Sequence, residues 1–369
     1  MQFIAYSDIH HDDYNNGIVE ADIVAIEDQV TQYAIENKIR QVFFLGDWYR
    51  ATNPNRSVIA AAEESWKRRS DSGIETIVLV GNHDRWTKSA ASGHAFISAA
   101  IYKTDLRNIR VIENVQQFEI EGVHFLCIPS GYERHPEIAT LDRDHPRPLV
   151  VLFHGLVAGS ALARGSSASS GIHPNLLRRL EADYIIGGDN HTPQDLTELL
   201  GCPSRYVGAP LQHNWGDREQ LRGFWHMCVN FNEQPRLDMY FVPSKSPRFV
   251  RKKLEAVNDM DALMKTTSLL QSQLDGNEGI VEITFMGKHA GSLNVELIEN
   301  TIQQHGVRRC RIIIDRAYEK VQIAPGMMEA TQPEDKWCAW VSGINTKEFD
   351  PLLLAEMGKW AIREARRAI

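Results

Sequence analysis

The sequence has few of the features that mark secreted, membrane-bound or cysteine-metal proteins. Its five cysteines, Cys127, Cys202, Cys228, Cys310 and Cys338, show no CxxC spacing. An odd, unpatterned count excludes a disulfide framework and reads as reduced thiols in a cytoplasmic compartment. No apolar run is long enough to span a bilayer, so no membrane partner is expected. Asp8 and His10 interrupt the first apolar stretch, and no basic region precedes it, so no secretory signal is expected. There is no internal sequence repeat. Positive charge is not in excess either, since the formal net charge is −8. That argues against a uniformly basic protein that coats nucleic acid, but not against a local basic groove. What remains, 43% hydrophobic and 24% charged residues, is an ordinary globular mix. The length favours a main domain plus a smaller one.

What is present is one layout found at five strand ends. Met1 to Ser7 reads as an apolar strand followed at once by Asp8 and His10. Val42-Phe43-Phe44-Leu45 runs into Gly46-Asp47, and Ile77-Val78-Leu79-Val80 into Gly81-Asn82-His83-Asp84. Val150-Val151-Leu152-Phe153 runs into His154-Gly155, and Tyr184-Ile185-Ile186 into Gly187-Gly188-Asp189-Asn190-His191. The carboxyl edge of an open α/β sheet is where sites are built. A lone Asp-x-His is more often a cap or a satisfied polar pair, but five such strand ends make chance a weak account. Asp, Asn and His on a rigid edge suit divalent cations. Asp47, central among the segments, is the candidate bridge between two ions roughly 3.5–4 Å apart. Such a pair would activate a water for attack on phosphorus and neutralise phosphoryl oxygens. The other histidines (His11, His94, His124, His135, His145, His173, His213, His226, His289 and His305) are read as structural. His11 adjoins His10, but neighbouring side chains on extended backbone point apart.

The pattern predicts a layered α/β fold with mixed β-sheets flanked by helices. Ile23, Ile26, Val30, Tyr33 and Ala34 recur at helical spacing, and Ser57 is the expected cap of a second helix ending near Ser72-Gly73. Glu121-Gly122 between two alternating runs predicts a hairpin, hence a mixed sheet. The small-residue stretch from Gly159 to Gly171 is either a mobile loop beside the site or a solvated connector. A main domain is expected over residues 1–242, a small α/β capping domain over 243–330, and a helical tail over 331–369. Pro243 to Pro247 forms the linker. In the tail, Leu353, Leu354, Met357, Trp360 and Ala361 form an apolar stripe that packs on its own domain or on a partner helix.

At these strand ends the chain resembles the calcineurin-like metallophosphoesterases, whose pattern is Asp-x-His, Gly-Asp, Gly-Asn-His-Asp/Glu, His, then Gly-His-x-His. The resemblance covers about the first 230 residues, and Gly-Asn-His-Asp is its most specific element. It implies one ion on Asp8, His10, Asp47 and His191, and another on Asp47, Asn82, His154 and Asp189, with Mn²⁺ expected and Mg²⁺ as the alternative. It implies that His83 contacts the scissile phosphate and protonates the leaving oxygen, with Asp84 orienting it. One position departs: Asp189 stands where the family has His, which implies altered metal preference or a weakened second position.

Further on, Tyr206-Val207-Gly208-Ala209-Pro210, Gly216-Asp217 and Arg222-Gly223-Phe224-Trp225 are similar to the segment after the last metal His in SbcD-type nuclease subunits of bacteria and phages. These are counterparts of the meiotic-recombination nuclease. That resemblance implies a 3′ to 5′ duplex exonuclease and single-strand endonuclease acting in DNA recombination, repair or replication, in the cytoplasm (the host's, if phage-encoded). It also implies DNA and an SbcC-type coiled-coil ATPase as partners, and pairing as a homodimer. Lys67-Arg68-Arg69, Arg178-Arg179, Arg251-Lys252-Lys253 and Arg308-Arg309 are candidate phosphate contacts or solvated faces. The alternatives are a phosphoesterase for small phosphodiesters or phosphoproteins, and a non-catalytic DNA-end-binding scaffold.

Overall fold

The first strand, β1 (Gln2–Tyr6), is buried on both faces: Phe3 and Ala5 point one way, Ile4 and Tyr6 the other. A strand of this kind belongs at the centre of a layered α/β fold. The computed structural model describes residues 1–12, 17–85, 108–132, 148–162, 166–218, 220–230, 236–315, 332–342 and 350–367. His94, His135 and His145 lie outside them, as does much of the end of the expected capping domain.

Two six-stranded mixed sheets form the body. In the first, β1, β2 (Gln41–Phe44), β3 (Glu75–Leu79) and β4 (Ile109–Ile112) run parallel. On the other side of β1, β11 (Gly223–Asn230) and then β12 (Arg236–Pro243) add antiparallel. In the second sheet, β6 (Val123–Ile128), β7 (Leu149–His154), β8 (Tyr184–Gly188) and β10 (Ser204–Tyr206) run parallel. Its antiparallel edges are β5 (Gln116–Ile120) and β9 (Gln194–Asp195). The β5–β6 turn is the expected hairpin, with Glu121 (φ 49°) and Gly122 (φ 77°) both left-handed, as a tight two-residue turn requires.

The strand period assigns the layers. Phe3, Ala5, Phe43, Leu45, Ile77 and Leu79 meet Phe125, Cys127, Val150, Leu152 and Ile186 between the sheets. The outward residues Ile4, Tyr6, Val42, Phe44 and Val78 are covered by Ile23, Ile26 and Val30 of α1 (Glu20–Glu36) and Val58, Ala62 and Trp66 of α2 (Arg56–Asp71). Asn55, not the expected Ser57, occupies the cap of α2; its backbone is extended, whereas Ser57 already lies in the first turn. Short helices α3 (Pro174–Arg178) and α4 (Thr197–Leu200) cover the far face of the second sheet through Leu177 and Leu200.

Later elements are a three-stranded sheet in the order β13 (Arg248–Glu255), β14 (Gly279–Met286), β15 (Val307–Ile314), with helices α5 (Asp259–Leu274) and α6 (Val295–Gln303). Two further helices follow, α7 (Pro333–Ser342) and α8 (Pro351–Arg367). The chain divides into two compact units. One is Met1–Arg251 with Leu269–Val281 and Ile302–Cys310; the other is Lys252–Ser268, Glu282–Thr301 and Arg311–Ile369. Among the described residues, no helix is long and apolar enough to cross a membrane.

Candidate metal centre

Beyond the last paired residues of β1 and β2, the two chains stay side by side. The Asp8 N–H donates to the Gly46 carbonyl at 2.9 Å and the His10 N–H to the Asp47 carbonyl at 3.1 Å. This ladder brings Asp8, His10 and Asp47 together. The backbone bends sharply to do so. Of the eight described non-glycine residues in the left-handed region, four are Asp8, His10, Asp47 and Asp189. Such backbone strain concentrates at functional sites.

The second sheet supplies the opposing wall. The Nδ1–H of His154 donates to the Leu45 carbonyl at 2.5 Å, which fixes its tautomer and presents Nε2 to the cluster. That Nε2 lies 3.1 Å from Asn82 Oδ1, 3.4 Å from Asp47 Oδ1 and 3.7 Å from Asp189 Oδ1. Glycine is required beneath it, since a Cβ at Gly46 would stand 2.1 Å from His154 Nδ1. On the other side of Asp47, His10 Nε2 is 3.7 Å from Asp47 Oδ2 and 3.2 Å from His191 Nε2. The structure therefore gathers all seven expected ligands, Asp8, His10, Asp47, Asn82, His154, Asp189 and His191. They form two sets that meet at Asp47; Asp8–His10–Asp47 and Asp47–His154–Asp189 each hold their ligand atoms within 4.8 Å.

The residues fit a cation. Asp8 Oδ2 accepts from Ser7 Oγ and the Asp189 N–H, while Asp8 Oδ1 is buried without a partner. Burial pushes the Asp47 carboxyl well above the usual range, with Asp8 and Asp84 adding to it and His154 opposing. Burial disfavours the His154 imidazolium, yet Asp47, Asp189 and Asp8 outweigh it and raise the pKa to about 9. These carboxylates favour positive charge at this point, and a divalent ion would supply it directly. His10 is held well below its ordinary value by burial and by the neighbouring histidines, which favours the neutral imidazole.

His83 sits at the open rim, its side chain 42% exposed. Its Nδ1 lies 2.5 Å from the Arg50 carbonyl, and its Nε2 is 4.0 Å from Asp47 Oδ2. The expectation that Asp84 orients the His83 ring is corrected here. The buried Asp84 carboxylate accepts from the N–H groups of Gly81, Asp47, Trp48 and Tyr49, at 2.9–3.1 Å. Four backbone donors occupy it, so it shapes the loops that carry His83 and Asp47, and Arg50 orients the ring.

Sequence reasoning set His213 aside, yet it belongs to this centre. It is buried, its Nε2 lies 2.8 Å from the Asp8 carbonyl, and its ring centroid is 5.0 Å from that of His10. Its backbone N–H donates to Asp217, which also faces His191 Nδ1 at 3.8 Å and Arg222 at 3.2 Å. Burial lowers the His191 pKa, but the bond from Asp217 outweighs it and the net shift is upward. Arg222 also donates to the His191 carbonyl. His11, by contrast, stacks on Trp48 and binds Glu20, a structural role. The loop beside the site is tied down where described: Val157 bridges Ile172, Ala161 bridges Ser167, and the Asn190 amide donates to the Ala161 carbonyl at 2.8 Å.

No curated protein matches the chain. Among solved structures it is similar to a dimetal phosphatase from Danio rerio, at 12% identity and TM-score 0.42, over 62% of this chain and 92% of that one. It is also similar to GAP50, described as the anchor in the inner membrane complex of Plasmodium, at 14% identity and TM-score 0.41, over 66% and 85%. A single-mutant Vps29 from Entamoeba histolytica aligns at 11% identity and TM-score 0.32, over 66% and 99%. Likenesses this remote carry no functional inference. The family comparison is different in kind. Residues 1–193, more than half of the chain and including the seven candidate ligands with His83 and Asp84, match the family described as calcineurin-like phosphoesterase. The chain belongs to that family, a family of metal-dependent hydrolases.

Proposed function

We propose that the protein is the nuclease subunit of an SbcD-type DNA-processing machine, hydrolysing phosphodiester bonds with two divalent ions, Mn²⁺ or Mg²⁺. The observation that carries the chemistry is the pair of ligand sets sharing Asp47 beneath a half-exposed His83. When bound, the ions supply Lewis acidity toward the phosphoryl oxygens and an activated water. Asp8, His10, Asp47 and His191 would hold one, and Asp47, Asn82, His154 and Asp189 the other. The Arg50 carbonyl keeps His83 Nδ1 occupied, so Nε2 is the atom that delivers a proton to the leaving oxygen.

DNA as the substrate is supported by the segment after His191. The Ala209 N–H and Arg222 both bind the His191 carbonyl, so the residues resembling the SbcD pattern wrap the centre itself. Exposed Lys67, Lys252 and Lys253 are candidate phosphate contacts. Arg69 and Arg308 drop out of that set, because Glu27 holds the first, and Asp22 with Glu278 the second. For an ATPase partner, the support is the apolar stripe on α8, of which Leu353, Met357 and Trp360 are 61–66% exposed.

The test is Mn²⁺-dependent digestion of an end-labelled linear duplex, beside a cyclic nucleotide and an aryl phosphodiester. Duplex cleavage that falls about 10²–10⁴-fold in His83→Ala is expected. Cleavage of the small esters alone would give the small-substrate reading instead.

A further inference from the structure

A pocket of about 180 Å³ lies between the loop after His213, β13 and the last turn of α5, all within the compact unit that holds the metal centre. Leu221, Phe249 and Val250 give it apolar walls, and Leu221 is 59% exposed. Gln220, Arg248 and Gln273 give it polar ones. Gln212 braces the two sides: its Oε1 accepts from the Phe249 N–H at 2.7 Å, and its Nε2 donates to the Gln220 carbonyl at 3.1 Å.

The Gln220 carboxamide has a fixed sense. Its Oε1 accepts from Thr192 Oγ1 and from Arg222 Nη2, each at 3.1 Å. A guanidinium only donates, so the oxygen must face it and the NH2 is turned away. That NH2 has no partner among the described residues, and neither has the Gln273 carboxamide. Arg248 directs one N–H to the Gln273 carbonyl at 3.0 Å and faces Asp275 at 3.9 Å, which leaves it further N–H groups. Donors therefore outnumber acceptors, and the apolar walls suit a flat ring. A cavity of about 150 Å³ takes a benzene ring, so this one takes a single ring system and not a whole nucleotide. Among the bases, guanine presents paired acceptors, O6 with N7. Gln220 is also joined to the metal centre, because Thr192 follows His191 and Arg222 donates both to Gln220 and to the His191 carbonyl.

We propose that this pocket takes one base of the substrate strand, guanine before the others, while a phosphate of the same strand lies at the metal centre. The inference rests on the nuclease reading above. It gives the chain a base preference at one position, set relative to the scissile bond by Arg222 and Thr192.

Neutral nucleosides test the pocket apart from the metals. The metal-free full chain is titrated with deoxyguanosine, deoxycytidine and a deaza-deoxyguanosine lacking N7, followed by ligand-observed nuclear magnetic resonance. Deoxyguanosine should bind at least about tenfold more tightly than the other two. Gln220→Glu keeps an oxygen for Thr192 and Arg222 but turns the donor into an acceptor, so that preference should be lost. Leu221→Ala, at an exposed position, is the second variant and should weaken all three nucleosides; far-UV circular dichroism checks that each variant is folded. The source of the base is read from Mn²⁺-dependent cleavage of end-labelled oligonucleotides. A guanine preference at one fixed position is expected, removed by deazaguanine and by Gln220→Glu. Deoxyguanosine that binds no better than deoxycytidine, or that binds unchanged to both folded variants, overturns the proposal. Nucleoside binding with no positional preference in cleavage overturns it too, and leaves a site for free nucleosides. Oligonucleotides that are not cleaved at all defeat the nuclease reading and the strand with it, whereas the base selectivity of the pocket is decided by the titration alone.

Discussion

Asp47 is hemmed in on every side. Its N–H donates to Asp84, its Oδ1 accepts from the His83 N–H at 3.0 Å, and a Cβ added at Gly81 would stand 2.1 Å from that same Oδ1. A methyl group there has no space, so Asp47 would turn away from the point its two ligand sets share. Gly81→Ala should therefore weaken metal binding by about 10–100-fold, the range seen when ligand orientation is lost. Calorimetric titration of a variant with native circular dichroism checks this; undiminished affinity would mean that Asp47 is not the shared ligand. That the seven candidate ligands would meet was legible in the sequence, because each ends or follows an apolar strand. His213 was not, since it stands well past the end of β10 rather than directly after a strand, and its partner Asp8 lies 205 residues away. Proximity to His83 in sequence also misassigned Asp84, because only the folded loops reveal the four N–H donors that occupy its oxygens.

At the scale of elements, α1 and α2 are joined by a buried ion pair. Glu27 and Arg69 are 0% and 1% exposed, and Tyr6 from β1 donates its hydroxyl to Glu27 while accepting from Arg69 at 2.9 Å. Glu27→Ala would leave a guanidinium without its counter-charge in the core, which should cost about 3–5 kcal/mol in urea unfolding. Asp28→Ala removes only the half-exposed partner of Arg68 and should cost less than about 1 kcal/mol. If the two variants lose equal stability, the buried pair is not what joins the helices. In the sequence Lys67-Arg68-Arg69 looks like one basic face. Yet Val58, Ala62, Ser65, Trp66 and Arg69 share the buried side of α2, so helical period alone placed Arg69 inward. Charge masked that signal, because a lone Arg gives no sign of the Glu that will meet it.

At the scale of the molecule, a net charge of −8 means that any DNA grip is local. Under the nuclease reading, duplex affinity measured by fluorescence anisotropy should fall steeply with salt. The logarithmic slope should be about −0.9 per phosphate neutralised, and a flat response would argue for a small substrate. The layered α/β plan was readable from the strand–helix alternation and the Glu121-Gly122 hairpin. How the strands sort into two sheets was not, because the order depends on pairings such as β1 with β11, more than 200 residues apart. That sorting has a consequence for persistence in the cell. Asp8, His10, Asp47 and Asn82 follow strands of one sheet, and His154, Asp189 and His191 end or follow strands of the other. Ions held between them would act as rivets through the sandwich, adding about 2.7 kcal/mol at a hundred times the dissociation constant. A chelator should lower the melting temperature and expose the amides of β1 and β8 to exchange. Metal scarcity would then shorten the lifetime of the protein against proteases as well as slowing its turnover.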